Sequence, residues 1–332
     1  MSMSGPVIDV HTHMLSAEWV AMLRDHGGPK YEVKPTKAGQ ESVYLGGNPF
    51  VTLTPGMFDY DLRIANMDKA AVDVAIVSLT CPNVYWGGEE VSTAAAAAMN
   101  DLMAYQQGRY PDRLRFFASL PWQYADRAVA ELERAVKAGA VGVFVSANID
   151  GESLTAPRFA PVWEAIDRLA LPVLVHPTAP QGSVELQLDE YGLVPPVGFM
   201  IDTTLAISRM IFDGFFDRYE KLGIIAGHGG ATLPYLAGRL DRCHEMIPAC
   251  AEKISDKPSS YLRKIYYDSV VYEKSALDLC IEVAGGPERL MYGSDYPHNI
   301  GDMEGCLGRV NALDAGAARQ IKSLTAQKLF KL

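Results

Sequence analysis

The chain contains no apolar run approaching the roughly 20 residues that span a bilayer. Its start, MSMSGPVIDVHTH, passes into a strand-like segment without the apolar centre of a secretion signal. These absences argue against a membrane partner, and a cytoplasmic location is expected. There is also no basic run and no aromatic-basic stripe; the formal charge of −10 is spread along the sequence, so nothing attracts a nucleic-acid backbone or an anionic surface. Cysteine is scarce. Cys81, Cys243, Cys250, Cys280 and Cys306 are odd in number and form no CxxC or CxxH spacing, the pattern of reduced thiols in a cytosolic protein. Internal repeats, heptads and a disordered tail are likewise missing.

What is present is an ordinary globular composition: 332 residues, 48% hydrophobic and 21% charged, enough to bury a large core. Eight short β-branched or apolar runs recur, at 6–13, 72–79, 114–121, 141–147, 172–177, 222–228, 264–270 and 289–297. Between them lie segments of helical composition, such as DRAVAELERAVKAG and RFAPVWEAIDRLA, most ending near Gly or Pro. Alternating strands and helices with continuously apolar strands predict a parallel sheet covered by helices. Eight repeats in this length predict an α/β fold, a (β/α)₈ TIM barrel, built as a single domain over 1–332. A doubly wound open sheet is the alternative, but no Gly-rich phosphate fingerprint follows the first strand. Two stretches exceed ordinary connections: 14–56, rich in Gly, Pro and polar residues, and 178–200. As insertions after strands one and five they would overhang the face where barrels keep their active sites, as a lid.

His11 and His13 lie at i and i+2 at the end of the first strand, so alternation points both imidazoles the same way. Alone, HxH is weak evidence for a metal. His176 ends the fifth strand in LVHP, His228 the sixth in AGHGG, and Asp295 the eighth in GSDYP. Polar residues at these strand ends converge on one barrel mouth. A lone histidine there is more often a hydrogen-bonded core or loop residue, and a lone Asp295 a turn former before Tyr296-Pro297; together they predict a metal site. Three neutral imidazoles and a carboxylate suit one divalent ion, zinc first and manganese, cobalt or iron next, rather than calcium or magnesium. A second ion is not expected, because VGVFVSA ends without a bridging lysine or glutamate. His228 is either a further ligand or a general acid/base beside the ion. His298 lies near the mouth, within reach of a ligand.

IDVHTH, LVHP, GHGGATLPYLAGR, YDS and RLMYGSDYP resemble the amidohydrolase superfamily, in the branch of aminocarboxymuconate-semialdehyde decarboxylase and related carboxy-lyases. The resemblance runs from VIDVHTH to TAQKLFKL. HxH and the strand-eight Asp are shared by the superfamily, whereas GHGG…LPYLAGR and TTLAISRMIFDGFFDRYEKL are far more specific to the branch. The resemblance implies that His11, His13, His176 and Asp295 bind one metal and that His228 is the acid/base histidine beside it; either Asp295 or His228 is expected to supply the proton. It implies that Arg239 reaches a neighbouring subunit's pocket to bind a substrate carboxylate, which requires at least a homodimer; a helix-surface ion pair is the competing reading of Arg239. Trp86 falls where the family carries an aromatic residue after strand two, suited to a flat substrate or to core packing. One departure stands out: Val51 occupies the place of a second carboxylate-binding arginine, so the muconate semialdehyde itself is not the expected substrate. HTHM, GGATLPYLAGRLDRC and YYDSVVYEKSALDL look closer to relatives acting on isoorotate or hydroxybenzoates.

The expected function is therefore metal-dependent, non-oxidative decarboxylation of an aromatic or conjugated carboxylic acid. Hydrolysis of a lactone or amide, or hydration, is the alternative that the same ligands support.

Overall fold

The computed structural model describes residues 5–332. Eight parallel strands form its central sheet: β1 (Ile8–His13), β2 (Val74–Ser78), β3 (Leu114–Ala118), β4 (Gly142–Ser146), β5 (Pro172–His176), β6 (Gly223–Ala226), β7 (Tyr266–Asp268) and β8 (Leu290–Met291). They pair in sequence order. The last strand returns to the first through Val10 N–H to Tyr292 O (2.9 Å) and the Thr12–Tyr296 bridge, so the predicted barrel forms.

The helices that cover it are α1 (Ala17–His26), α2 (Tyr60–Ala70), α3 (Gly88–Arg109), α4 (Ala125–Lys137), α5 (Ala160–Leu169), α6 (Phe199–Phe212), α7 (Leu233–Met246), α8 (Lys274–Ala284) and α9 (Met303–Asn311). Their ends follow local chemistry. Ser16 and Asp59 accept N–H bonds from Trp19 and Leu62 at the starts of α1 and α2, and α8 stops where Gly285 takes φ 84°. No described helix is long and apolar enough to cross a membrane.

The apolar interior divides in two. The larger part lies between strands and helices; the smaller fills the barrel with Ile8, Val10, Ile76, Phe117, Phe144, Leu174, Ile225 and Met291, sealed from below by Phe330. Strand β1 carries an irregularity that strict alternation does not predict. Asp9 pairs with Ala75 but Thr12 with Val77, so β1 holds one residue more than β2 between these pairs. This bulge lets Ile8 and Val10, and then His11 and His13, all face the interior.

Residues 14–56 are more ordered than their Gly and Pro content suggests. After α1 they form an antiparallel sheet of Tyr31–Pro35, Glu41–Leu45 and Asn48–Thr52. Segment 178–200 is built from turns, with short helical turns at Glu190–Gly192 and Val194–Gly198 leading into α6.

Candidate metal centre and active site

At the C-terminal mouth of the barrel four histidines and Asp295 meet. The His11 ring lies 5.1 Å from His13, 5.0 Å from His176 and 4.8 Å from His228 by centroids. Ligand-type atoms of His11, His176, His228 and Asp295 lie within 4.8 Å of one another, and so do those of His13, Asp295 and His298. Asp295 joins the groups, its Oδ1 being 3.2 Å from His13 Nε2 and 3.5 Å from His11 Nε2. The ring of Phe144 underlies the cluster, 5.4 Å from His176 and 6.4 Å from His13.

Three of the histidines share one orientation. His11 Nδ1 pairs with Asp268 Oδ2 at 2.5 Å, His13 Nδ1 with Ser78 Oγ at 3.0 Å, and His176 Nδ1 with the Pro177 carbonyl at 2.7 Å. In each the Nε2 is buried and without a hydrogen-bond partner among the described residues, as is Asp295 Oδ1. Unsatisfied buried polar atoms are costly. Imidazoles fixed at Nδ1 with Nε2 converging on a carboxylate are the arrangement a divalent cation satisfies. These donors fit such an ion.

Electrostatics agree at His13, His176 and Asp295. Burial, with the neighbouring imidazoles, pushes the His13 imidazole down to about 3 and His176 well below its ordinary range, keeping both neutral and able to donate a lone pair. Burial works against the Asp295 carboxylate too, but the close approach of His13 and His228 outweighs it and holds the carboxylate ionised. At His11 burial is likewise outweighed, by Asp268, and the pKa is raised.

His228 differs. Its Nδ1 is buried with no partner, while its Nε2 lies 3.6 Å from Asp295 Oδ2. Its position is set through the main chain: φ is 55°, and its N–H donates to Asp268 Oδ2 at 2.9 Å. Asp295 also takes a left-handed φ, of 58°, with its N–H held by the His11 carbonyl at 2.8 Å. Two non-glycine residues in this region mark a site held by its surroundings.

The cavity above the cluster measures about 250 Å³ and is walled by Phe50, Val51, Phe199, Cys81 and His298 over His176 and Asp295. Among the described residues neither Lys nor Arg lines it. Both insertions contribute, Pro49–Thr52 from one and Pro195 from the other. His298 is anchored by Thr80 Oγ1 at 2.9 Å from its Nε2 and stands 5.0 Å from the His13 ring.

Two expected substrate contacts lie elsewhere. Trp86 is buried against Trp19 at 6.0 Å and donates its indole N–H to the Asn83 carbonyl; it does not line this cavity. The core reading of Trp86 is the one the packing supports. Arg239 is exposed on α7, outside the cavity. It makes no ion pair among the described residues, so the surface-pair reading finds no partner.

Sequence reasoning missed the residues behind the cluster. Asp268 ends β7 and takes four hydrogen bonds, from His11, His228 N–H, Gly229 N–H and Val270 N–H. The strand-end rule that found Asp295 applies equally to it. Arg63, fully buried, grips β1 through Thr12 Oγ1 (2.6 Å), the His13 carbonyl (2.5 Å) and Met14 Sδ (2.9 Å), and lies over the Tyr296 ring. No local signal distinguishes it from a surface helix arginine.

Comparison with known proteins places this geometry. The family model described as Amidohydrolase matches residues 8–332. The 2-amino-3-carboxymuconate-6-semialdehyde decarboxylase of Dictyostelium discoideum is 29% identical over 301 residues, covering 89% of this chain and 83% of that protein. The gamma-resorcylate decarboxylase of Rhodococcus jostii is 30% identical over 319 residues, covering 90% and 95%. Among solved structures, the 5-carboxyvanillate decarboxylase of Novosphingobium aromaticivorans, complexed with manganese and 4-hydroxy-3-methoxy-5-nitrobenzoic acid, superposes with a TM-score of 0.85 at 25% identity, covering 99% of this chain and 96% of its own. With a barrel closed as predicted and a histidine-aspartate cluster at its mouth, the chain belongs to the amidohydrolase family and is similar to its decarboxylases.

Proposed function

We propose that this protein is a cytoplasmic, metal-dependent carboxy-lyase that removes CO₂ without oxidation from an aromatic acid, most closely a hydroxybenzoate type. The observation that carries the reading is the contrast among the histidines. His11, His13 and His176 are locked at Nδ1 and present Nε2, whereas His228 has no Nδ1 partner and faces Asp295. Locked rings suit ligands; an unlocked ring at the mouth suits a proton carrier. His11, His13, His176 and Asp295 are therefore assigned to the metal, and His228, with Asp295, to proton transfer.

A divalent ion held by His11, His13, His176 and Asp295 would supply Lewis-acid polarisation of the substrate's oxygen atoms. The chain's residues do the rest. Phe50, Val51 and Phe199 receive a flat ring and exclude water. His228 delivers a proton to the ring carbon that bears the carboxylate. The C–C bond electrons then return to the ring as CO₂ leaves, restoring aromaticity, and the phenol is released. His298 is assigned to the substrate as a polar contact on the cavity wall. With no cation on that wall, a second carboxylate on the substrate goes unmatched within one subunit.

Zinc is the ion the donor set suits first; the manganese of the carboxyvanillate relative is the other strong choice. We assign the chain to a homodimer in which Arg239 serves the partner copy, supported by its free guanidinium on a helix that also exposes Tyr235 (82%) and Met246 (60%). Sedimentation of wild type and Arg239→Ala tests this; a monomeric wild type overturns it.

The test of function is metal analysis followed by a screen of aromatic and unsaturated acids, reading CO₂ and the product mass. Loss of the mass of one CO₂, abolished by chelation and restored by one ion per chain, is expected. A product that gains water instead establishes the hydrolase or hydratase reading.

A further inference from the structure

A second and larger cavity, of about 550 Å³, adjoins the metal cavity. They share Pro49 and Phe50, and consecutive residues line opposite sides at two further points. Cys81 faces the metal side and Pro82 the other; Pro195 faces the metal side and Val194 the other. Phe50, buried and set edge-on to Phe199 at 6.1 Å, stands at the junction.

The second cavity's inner wall is apolar and aromatic, from Tyr31, Leu45, Pro82, Tyr85 and Val194. Tyr31 and Tyr85 are buried. Its lining charges are Lys30, Asp150, Glu185 and Asp189. The single cation is already paired with Asp150, so the rim is net acidic and repels an anionic group. The metal cavity falls below the roughly 300 Å³ at which sites for drug-sized ligands begin, and the second lies well inside that range.

The geometry points to a bipartite substrate: a hydroxyarene carboxylic acid whose ring occupies the metal cavity and whose uncharged apolar substituent passes Phe50 into the second. This rests on the decarboxylase reading for the carboxylate alone. The substituent follows from the shared wall, the aromatic lining and the acidic rim. Leu45, half-buried on the antiparallel sheet, and Val194 then determine specificity for the extension without approaching the reacting carbon.

The test uses the metal-loaded enzyme and two pairs of ligands. Calorimetry compares phenol with 3- and 4-phenylphenol, which carry no carboxylate and cannot react. Wild type is expected to bind one of the phenylphenols about tenfold or more tightly than phenol, the factor produced by burying about 55 Å² of apolar surface. Leu45→Trp and, independently, Val194→Trp fill the second cavity. Each is expected to erase that gain while leaving phenol within about twofold. In kinetics with the corresponding hydroxybenzoates, kcat/KM for the extended acid should fall about tenfold in both variants and that for the single-ring acid should hold. Equal loss for both ligands, or a phenylphenol advantage that survives both tryptophans, overturns the bipartite site. If no acid releases CO₂, the decarboxylase reading fails while the calorimetric result still decides this one.

Discussion

Replacing Asp268 with Asn gives the sharpest test of how the site is held. Asp268 Oδ2 accepts from His11 Nδ1 at 2.5 Å and from His228 N–H at 2.9 Å; Oδ1 accepts from Gly229 and Val270 N–H at 2.9 and 3.0 Å. Burial opposes this carboxylate, and its pairing with His11 more than offsets the cost, keeping its pKa below the ordinary range. Whichever oxygen becomes the amide NH₂ turns a donor toward two donors. Two charge-assisted hydrogen bonds are lost, a destabilisation on the order of 3 kcal/mol. His11 also loses the anion that fixes its tautomer, so metal affinity should fall about 10- to 100-fold. Chelator competition measures the affinity and urea denaturation of the metal-free protein measures the stability. Activity should return in large part at saturating metal. Unchanged metal affinity with unrecoverable activity would refute the claim that Asp268 works through His11.

Three further outcomes follow from the structure. His228→Asn should lower kcat about 10²- to 10⁴-fold with one ion per chain retained; loss of the ion by elemental analysis would make His228 a ligand. Arg63→Met leaves the Thr12 hydroxyl and the His13 carbonyl without their charged donor and the Tyr296 ring without its cation, and should cost about 3 kcal/mol in urea denaturation; a change under about 1 kcal/mol refutes the anchoring role. Asp202, buried, has its carboxyl raised from 3.8 to about 6 by burial, despite bonds from Thr178 N–H and Asn148. Because the folded state binds the proton more tightly, this group's contribution is most favourable below about pH 4 and is lost as pH rises through about 6, by ~3 kcal/mol. Asp202→Asn should therefore flatten that part of the stability profile between pH 4 and 7.5, and a profile parallel to wild type would contradict it.

The barrel is legible in the sequence because each strand is a continuous apolar run, a signal that survives without neighbours. His176 and Asp295 are legible for a related reason: a polar residue where such a run meets Gly or Pro is carried by the strand to the rim of the barrel. Asp268 carries the same signal, but only tertiary structure shows it facing His11. Residues 14–56 mislead in the opposite sense. Gly and Pro fit turns between the short strands of the antiparallel sheet as well as they fit a loop, and alternation over five residues is too brief to separate the two. Arg63 is illegible because its burial depends on packing against β1. Trp86 occupies the expected place in sequence, but its ring turns to Trp19.

The extra residue in β1 ties the chemistry of this protein to a count. Substitutions around the HxH pair trade one side chain for another, whereas a regular pleat over the same residues, with Ile8 and Val10 still inward, would turn both imidazoles away from the interior. The motif would still read as intact in any sequence search. A first strand that pairs evenly with the second at the same length is therefore a mark of lost or altered metal chemistry even where every ligand is spelled correctly, and strand register joins residue identity as something to be matched when the site is transplanted.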